Sequence, residues 1–189
     1  MYCSVTDPKT YLGISGTGDD SLLAALIASS QKAIDRHCHR KFEAPADTTR
    51  TFDADRDVQW RTLFLDHDLC QITSITNGDD DVLTTAEYTT EPRNETPYYA
   101  ITLLWSSSVT WTYTNDTEDA ITIVGRWAFS LAAPDDVVQA CRRLAAYLYR
   151  QKDNAQDLDR AVLVGNATIL PTELPRDIKT LLAPYVRLI

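Results

Sequence analysis

His37-Cys38-His39 brings three metal-ligand types into one run, and Asp66-His67-Asp68 sets an imidazole between two carboxylates. The first is the raw material of a transition-metal site, the second of an acid–base set. Spacing argues against both. Adjacent residues on a helix point about 100° apart and do not converge on one ion. The chain holds one other histidine, His67, so the remaining ligands would have to come from far away. Asp66-His67-Asp68 falls at the end of an expected strand, where turn residues of this kind are ordinary. No serine sits in a nucleophile elbow, and Gly13 to Gly18 does not match a phosphate loop. Asp53-Ala54-Asp55-Arg56-Asp57 has the alternate spacing of the first half of a calcium loop. Val58 then stands where that pattern needs glycine, and no bidentate glutamate follows. Together with Asp79-Asp80-Asp81 it reads as solvated turn. Trp105, Trp111, Tyr98 and Tyr99 are the residue types that stack on sugars, but at alternating strand positions they read as core or interface. No catalytic set, metal site or cofactor site emerges.

The elements that would carry these residues are plainer. Asp7-Pro8 to Leu12, closed by Gly13, is one short helical turn. Thr17 to Phe42 is a long helix with the stripe Leu23, Ile27, Ser30, Ile34 and Cys38, a Thr17/Asp20 cap, and basic residues at its end. Pro134 opens a second long helix running to Lys152, with Asp135 and Asp136 in its first turn. Val137, Cys141, Leu144 and Leu148 form one apolar stripe, and Val138, Ala145 and Tyr149 a second. Two apolar faces require two packing partners: another helix of this chain, and a strand layer or a neighbouring subunit.

Between the helices the texture changes. Seven short strands are expected near Arg50–Phe52, Thr62–Leu65, Cys70–Thr76, Glu87–Thr90, Ala100–Trp105, Val109–Thr114 and Ala120–Val124, with Asn77-Gly78 as a hairpin turn. The predicted fold class is α+β. Residues 1–44 and 134–189 make a helical scaffold with two long helices, a short C-terminal helix, an arm and a tail. Residues 45–133 form an inserted antiparallel β-sandwich or barrel-like module. Asp153 to Arg160 reads as loop, and Ala161 to Leu170 as a hairpin or extended arm with Gly165-Asn166 at its tip. Pro175 starts the short helix, and Pro184 ends it and leaves the apolar tail Tyr185-Val186-Arg187-Leu188-Ile189.

The chain is long enough for a substantial core, and no apolar run approaches the ~20 residues that cross a bilayer. Its N-terminus lacks the basic and apolar regions of a signal peptide, so synthesis in a cytosol is expected. Four widely spaced cysteines without a CxxC pair read as reduced and buried. Charge is uneven: residues 45–133 hold 5 Lys/Arg against 15 Asp/Glu, a net −10, while the rest holds 13 against 12, a net +1. Such a middle region repels phosphate and does not suit DNA-backbone binding.

Taken in order, these pieces resemble the head–tail connector (head-completion, or adaptor) proteins of tailed bacteriophages. The residues that carry the likeness begin with Tyr11-Leu12-Gly13-Ile14, then Asp19-Asp20-Ser21-Leu22-Leu23 with Leu26-Ile27, and Ile34 through Phe42. Leu63 through Leu69 leading into Ile72 through Gly78 follows, then Ile121 through Trp127 with Pro134-Asp135-Asp136-Val137. Leu174 through Ile178 with Leu182-Ala183-Pro184-Tyr185 completes it. The resemblance implies a non-enzymatic virion protein, assembled in the host cytoplasm, without cofactor or membrane. It implies a ring, usually of twelve copies, under the portal protein. The ring extends the DNA channel, through which DNA passes without specific binding, and docks the next connector, stopper or tail protein. The β-insertion is long beside the minimal helical members. Tyr185, Val186, Arg187, Leu188 and Ile189 are the expected portal or assembly contacts, and Val162, Val164, Ile169 and Leu170 the arm contacts, since these apolar segments need partners. The reading from another class is a β-sandwich module for carbohydrate or host-surface binding, with the helices as support.

Overall fold

The structure, a computed structural model, describes residues 1–151, 162–164, 167–169 and 174–187. Among the described residues it is an α+β fold with four α-helices and two antiparallel sheets, plus a separate two-stranded hairpin. The chain divides into two compact units, Met1–His39 with Pro134–Ile189, and Arg40–Ala133.

The first unit is helical. Helix α1 (Thr6–Leu12) closes on Gly13, whose φ of +72° lets its N–H turn back to the carbonyls of Lys9 and Thr10. Helix α2 (Asp20–Cys38) buries Leu23, Ile27, Ser30, Ile34 and Cys38, the stripe expected from the spacing. Its end is set by His39 at φ +55°, whose N–H donates to the Asp35 carbonyl. The expected Thr17/Asp20 cap does not form: no side chain caps α2. The nearby carboxylates are used elsewhere. Asp20 accepts from Lys9 Nζ at 2.6 Å, and Asp19 accepts from the Tyr149 hydroxyl at 2.6 Å, tying the start of α2 to α1 and to the second long helix.

Helix α3 (Asp135–Gln151) buries Val137, Ala140, Cys141, Leu144, Ala145 and Ala146. It packs against α1, α2 and α4 (Arg176–Leu182) of the same unit. Side chains at its flanks complete these contacts: Arg143 Nη1 lies 3.2 Å from Asp177 of α4, and the Arg150 guanidinium covers the Tyr11 ring of α1. On the second stripe Ala145 is buried, while Val138 and Tyr149 are half-buried. Leu148, the last residue of the expected apolar stripe, is only half-buried. The short helix α4 ends at Leu182, just ahead of Pro184 as expected, and Pro184 itself lies inside a 3₁₀ turn, Ala183–Tyr185, that follows directly.

The second unit holds strands β1 (Thr48–Phe52), β2 (Val58–Gln59), β3 (Thr62–Leu69), β4 (Gln71–Thr76), β5 (Tyr88–Glu91), β6 (Tyr98–Leu103) and β7 (Ile121–Arg126). They form a three-stranded sheet ordered β1-β7-β4 and a four-stranded sheet ordered β2-β3-β6-β5. One buried cluster draws on both: Phe52, Ile75, Ile121 and Ile123 from the first, and Leu63, Leu65, Leu69, Ile101 and Leu103 from the second. Strand β7 shows the alternation that makes this possible, its odd-numbered residues buried and its even-numbered ones half-exposed. Gly125 is required where β7 meets β4, because a Cβ there would lie 2.3 Å from the Gln71 carbonyl oxygen.

One expectation fails here: Val109 to Thr114 is not a strand. Asn77-Gly78 does open a turn, one of five residues, across which Thr76 bridges antiparallel to Val82 and the Asn77 N–H donates to the Asp81 carbonyl. The Asn77 side chain is buried and works as a clamp: its Nδ2 donates to the Thr110 carbonyl at 2.9 Å, and its Oδ1 accepts from the Thr112 N–H at 3.2 Å. Those side-chain bonds replace the ladder that residues 109–114 would need in a sheet. Asp66-His67-Asp68 also lies within β3 rather than in a turn beyond it.

Candidate assembly surfaces

The clusters that suggested chemistry are dispersed by the fold. His37 and Cys38 lie in the last turn of α2 and His39 in the left-handed residue after it. Burial, then the nearby Lys179 and His39, holds the His37 imidazole below its usual range. Among the described residues no three His, Cys, Asp or Glu side chains are grouped to hold a metal ion. In β3, Asp66 accepts from Arg50 at 2.6 Å and lies 2.8 Å from His67 Nδ1, while Asp68 is buried 3.4 Å from Arg40. The two carboxylates therefore serve separate arginines. Asp53 and Asp57 bond within their own turn and to the Asp119 N–H, and Asp79 accepts from the Asp81 N–H.

The aromatic quartet does not share a face. Tyr98 and Trp111 pack against the core, and Trp111 Nε1 donates to the Arg61 carbonyl at 3.0 Å. Trp105 and Tyr99 are exposed. Trp105 belongs with a residue that the sequence reading passed over, Trp60, at one end of the four-stranded sheet. The register Gln59↔Thr62 leaves Trp60-Arg61 as a two-residue turn between β2 and β3. Trp60 takes φ +61° and is 88% exposed, and Trp105 is 83% exposed. Arg61 lies beneath: its guanidinium covers the Trp105 ring and donates to the carbonyls of Leu103, Leu104, Ser107 and Val109. The available signal was the pair Trp60-Arg61 just ahead of a strand, without the glycine or asparagine that usually marks a turn.

The expected contact residues are placed as follows. Tyr185 ends the 3₁₀ turn, and its hydroxyl donates to Asp136 Oδ2 at 3.3 Å. Burial first, then the Asp136 carboxylate, pushes that phenol above its usual range. The Arg187 N–H donates to the Cys38 carbonyl at 3.0 Å, satisfying the last residue of α2. Tyr185, Val186 and Arg187 are half-buried, so this part of the tail lies along the helical unit. Val162, Val164 and Ile169 belong to the hairpin β8 (Val162–Val164) and β9 (Ala167–Ile169), paired Val162↔Ile169 to Val164↔Ala167. Leu170, Leu188, Ile189, the Gly165-Asn166 tip and residues 153–160 lie outside the described residues.

The sequence model of the family described as head completion protein matches residues 2–188. The chain belongs to the head completion protein family. It is accordingly a structural, non-enzymatic protein. Solved structures give the same fold along the whole length. A chain in the virion of the native gene transfer agent (GTA) particle aligns with a TM-score of 0.60 at 15% identity, covering 100% of this chain and 92% of that one. A chain in the neck of the empty GTA particle, computed with C6 symmetry, aligns at 0.58 with 15% identity and the same coverage. One in the neck of the native particle, computed with C12 symmetry, aligns at 0.56 with 14% identity, covering 98% and 90%. No curated protein matches the chain in sequence.

Proposed function

We propose that this head completion protein is a head–tail connector. Copies close into a ring, of twelve subunits, beneath the portal protein at the head–tail junction of the virion, after assembly in the host cytoplasm. The ring extends the DNA channel and receives the next connector, stopper or tail protein. The observation that carries this reading is the fold likeness, over the full chain, to neck chains computed with C6 and C12 symmetry. A closed ring needs two different complementary sides on each subunit. The chain offers segments suited to that role: the β8–β9 hairpin, too short to be stable alone, and the tail from Tyr185 to Ile189.

In this reading residues 1–44 and 134–189 are the scaffold and 45–133 the inserted module. The single cluster fed by two sheets supports a sandwich for that module. Its net −10 suits a channel component that DNA slides past without binding. Tyr185, Val186, Arg187, Leu188 and Ile189 grip the portal, and Val162, Val164, Ile169 and Leu170 reach a neighbouring subunit or ring.

The test mixes the full chain with its cognate portal and images the complex by electron microscopy. A ring coaxial with the portal is expected, and a chain that stays monomeric beside the portal overturns the connector reading. Deleting Tyr185–Ile189 removes the Arg187–Cys38 and Tyr185–Asp136 bonds, so a fall of a few degrees in melting temperature is expected, with loss of portal binding. Undiminished binding would remove the tail from the contact. Unfolding of the truncated chain would assign the tail to the monomer core instead.

A further inference from the structure

Cys3 and Cys141 meet inside the helical unit, although they are separated by 138 positions in the chain. Their Sγ atoms lie 3.5 Å apart, and both residues are buried and unbridged. We propose that this pair is a redox site: a small-molecule disulfide converts it to an intramolecular disulfide that clasps the N-terminal segment to α3. It stands on the geometry of the thiol pair and does not depend on the connector reading.

An S–S bond is about 2.0 Å long, so the sulfurs must approach by about 1.5 Å. Cys141 sits in the middle of α3, held by a buried stripe. Cys3 lies in the non-helical residues before α1, which can supply the movement. Cys70 makes the contrast: its thiol donates to the Arg126 carbonyl at 3.3 Å.

The two thiols have different roles. In the neutral pair Cys3 donates to Cys141, and the Cys141 S–H donates to the Ile27 carbonyl at 4.0 Å. When Cys3 loses its proton, the Cys141 S–H turns toward the new thiolate. That bond holds the Cys3 thiol below its usual range, against burial and the Asp7 carboxylate. The same bond, with burial, pushes the Cys141 thiol up. Cys3 is thus the attacking thiol and Cys141 the resolving one. The Cys3 thiolate attacks one sulfur of RS–SR and expels RS⁻, leaving a mixed disulfide. Cys141 gives its proton to the expelled thiolate and attacks the Cys3 sulfur. The second RS⁻ leaves and takes up the proton that Cys3 lost. Two protein thiols are oxidised, and one RS–SR is reduced to two RSH. Cys3 is 4% exposed, so the first step needs the N-terminal residues to lift briefly.

The closed loop takes in α1, α2 and the whole β unit, so oxidation removes much freedom from the unfolded chain. The test incubates the full-length chain with oxidised glutathione and maps its peptides by mass spectrometry without reduction. A Cys3–Cys141 linked peptide is expected, with free thiols falling from four to two per chain. The melting temperature should rise by about 5 °C or more and return with dithiothreitol. Cys3→Ser should keep three thiols and show no rise. Four surviving thiols in the native sequence, glutathione retained on Cys3, or a link between other cysteines overturns the site. A Cys3–Cys141 link without a rise in melting temperature overturns the clasp.

Discussion

The helical unit and the β unit solve the same problem, satisfying buried backbone, by different means. In the helical unit the long runs of α2 and α3 satisfy themselves, and side chains act mainly at their ends and flanks: Lys9 to Asp20, Tyr149 to Asp19, Arg143 to Asp177. In the β unit residues 104–120 cross from β6 to β7 without joining a sheet as a strand. Their carbonyls and N–H groups are met by side chains from elsewhere, chiefly Arg61 and Asn77. Removing a side chain therefore has a different meaning in each place. In the helices it removes apolar packing. In the β unit it leaves backbone groups without partners.

The sharpest probe of the first kind is Leu144→Ala. Leu144 is 4% exposed on the stripe of α3, and truncation should lower stability by about 2–5 kcal/mol. Urea unfolding followed by far-ultraviolet circular dichroism would measure it. A loss under about half a kcal/mol would mean that this face of α3 carries little packing.

Arg61→Met probes the second kind. It keeps most of the aliphatic length of the side chain and removes a guanidinium that donates to four carbonyls. A loss of about 2–4 kcal/mol is expected, with hydrogen exchange accelerated first in residues 104–112. If exchange instead rises uniformly across both units, Arg61 is not a local stitch and the contrast between the units fails.

The same contrast explains what was legible in the sequence. The stripe of α2 was readable because helix periodicity and burial coincide at Leu23, Ile27, Ser30, Ile34 and Cys38. Strand β7 was readable because alternation and burial coincide there. Val109 to Thr114 has strand composition, and nothing local reveals that Asn77 and Arg61 will take its hydrogen bonds, because those partners lie over 30 residues away. Asn77-Gly78 does open a turn, between Thr76 and Val82, but its further role was hidden for a related reason. Its asparagine was needed by a distant segment, and its glycine leaves room for the Thr112 carbonyl, which a Cβ would approach to 2.2 Å. The Thr17/Asp20 cap was displaced because tertiary partners claimed the carboxylates of Asp19 and Asp20. Of the expected contact set, no local signal showed that Arg187 would close the end of α2, a bond set by the fold over about 150 residues.

The smallest expected effect has the opposite sign. In the helical unit the positive-φ residues Gly13 and His39 both end helices, where such a conformation is commonplace. In the β unit Trp60 takes φ +61° at the first position of a two-residue turn that ordinarily holds glycine. A bulky side chain there strains the backbone by about 1–3 kcal/mol. At 88% exposure the indole returns little burial to offset that strain. Trp60→Gly relieves the strain but adds unfolded-state freedom, about 0.5–1 kcal/mol in the other direction. Stability should therefore stay level or rise by about 1 kcal/mol. Thermal unfolding of the purified variant would read it. A loss above about 1 kcal/mol would show that the indole itself holds the β2–β3 turn, like the side chains that stitch residues 104–112. A stable variant that no longer enters the proposed portal complex would show that the strained tryptophan serves a contact outside its own unit.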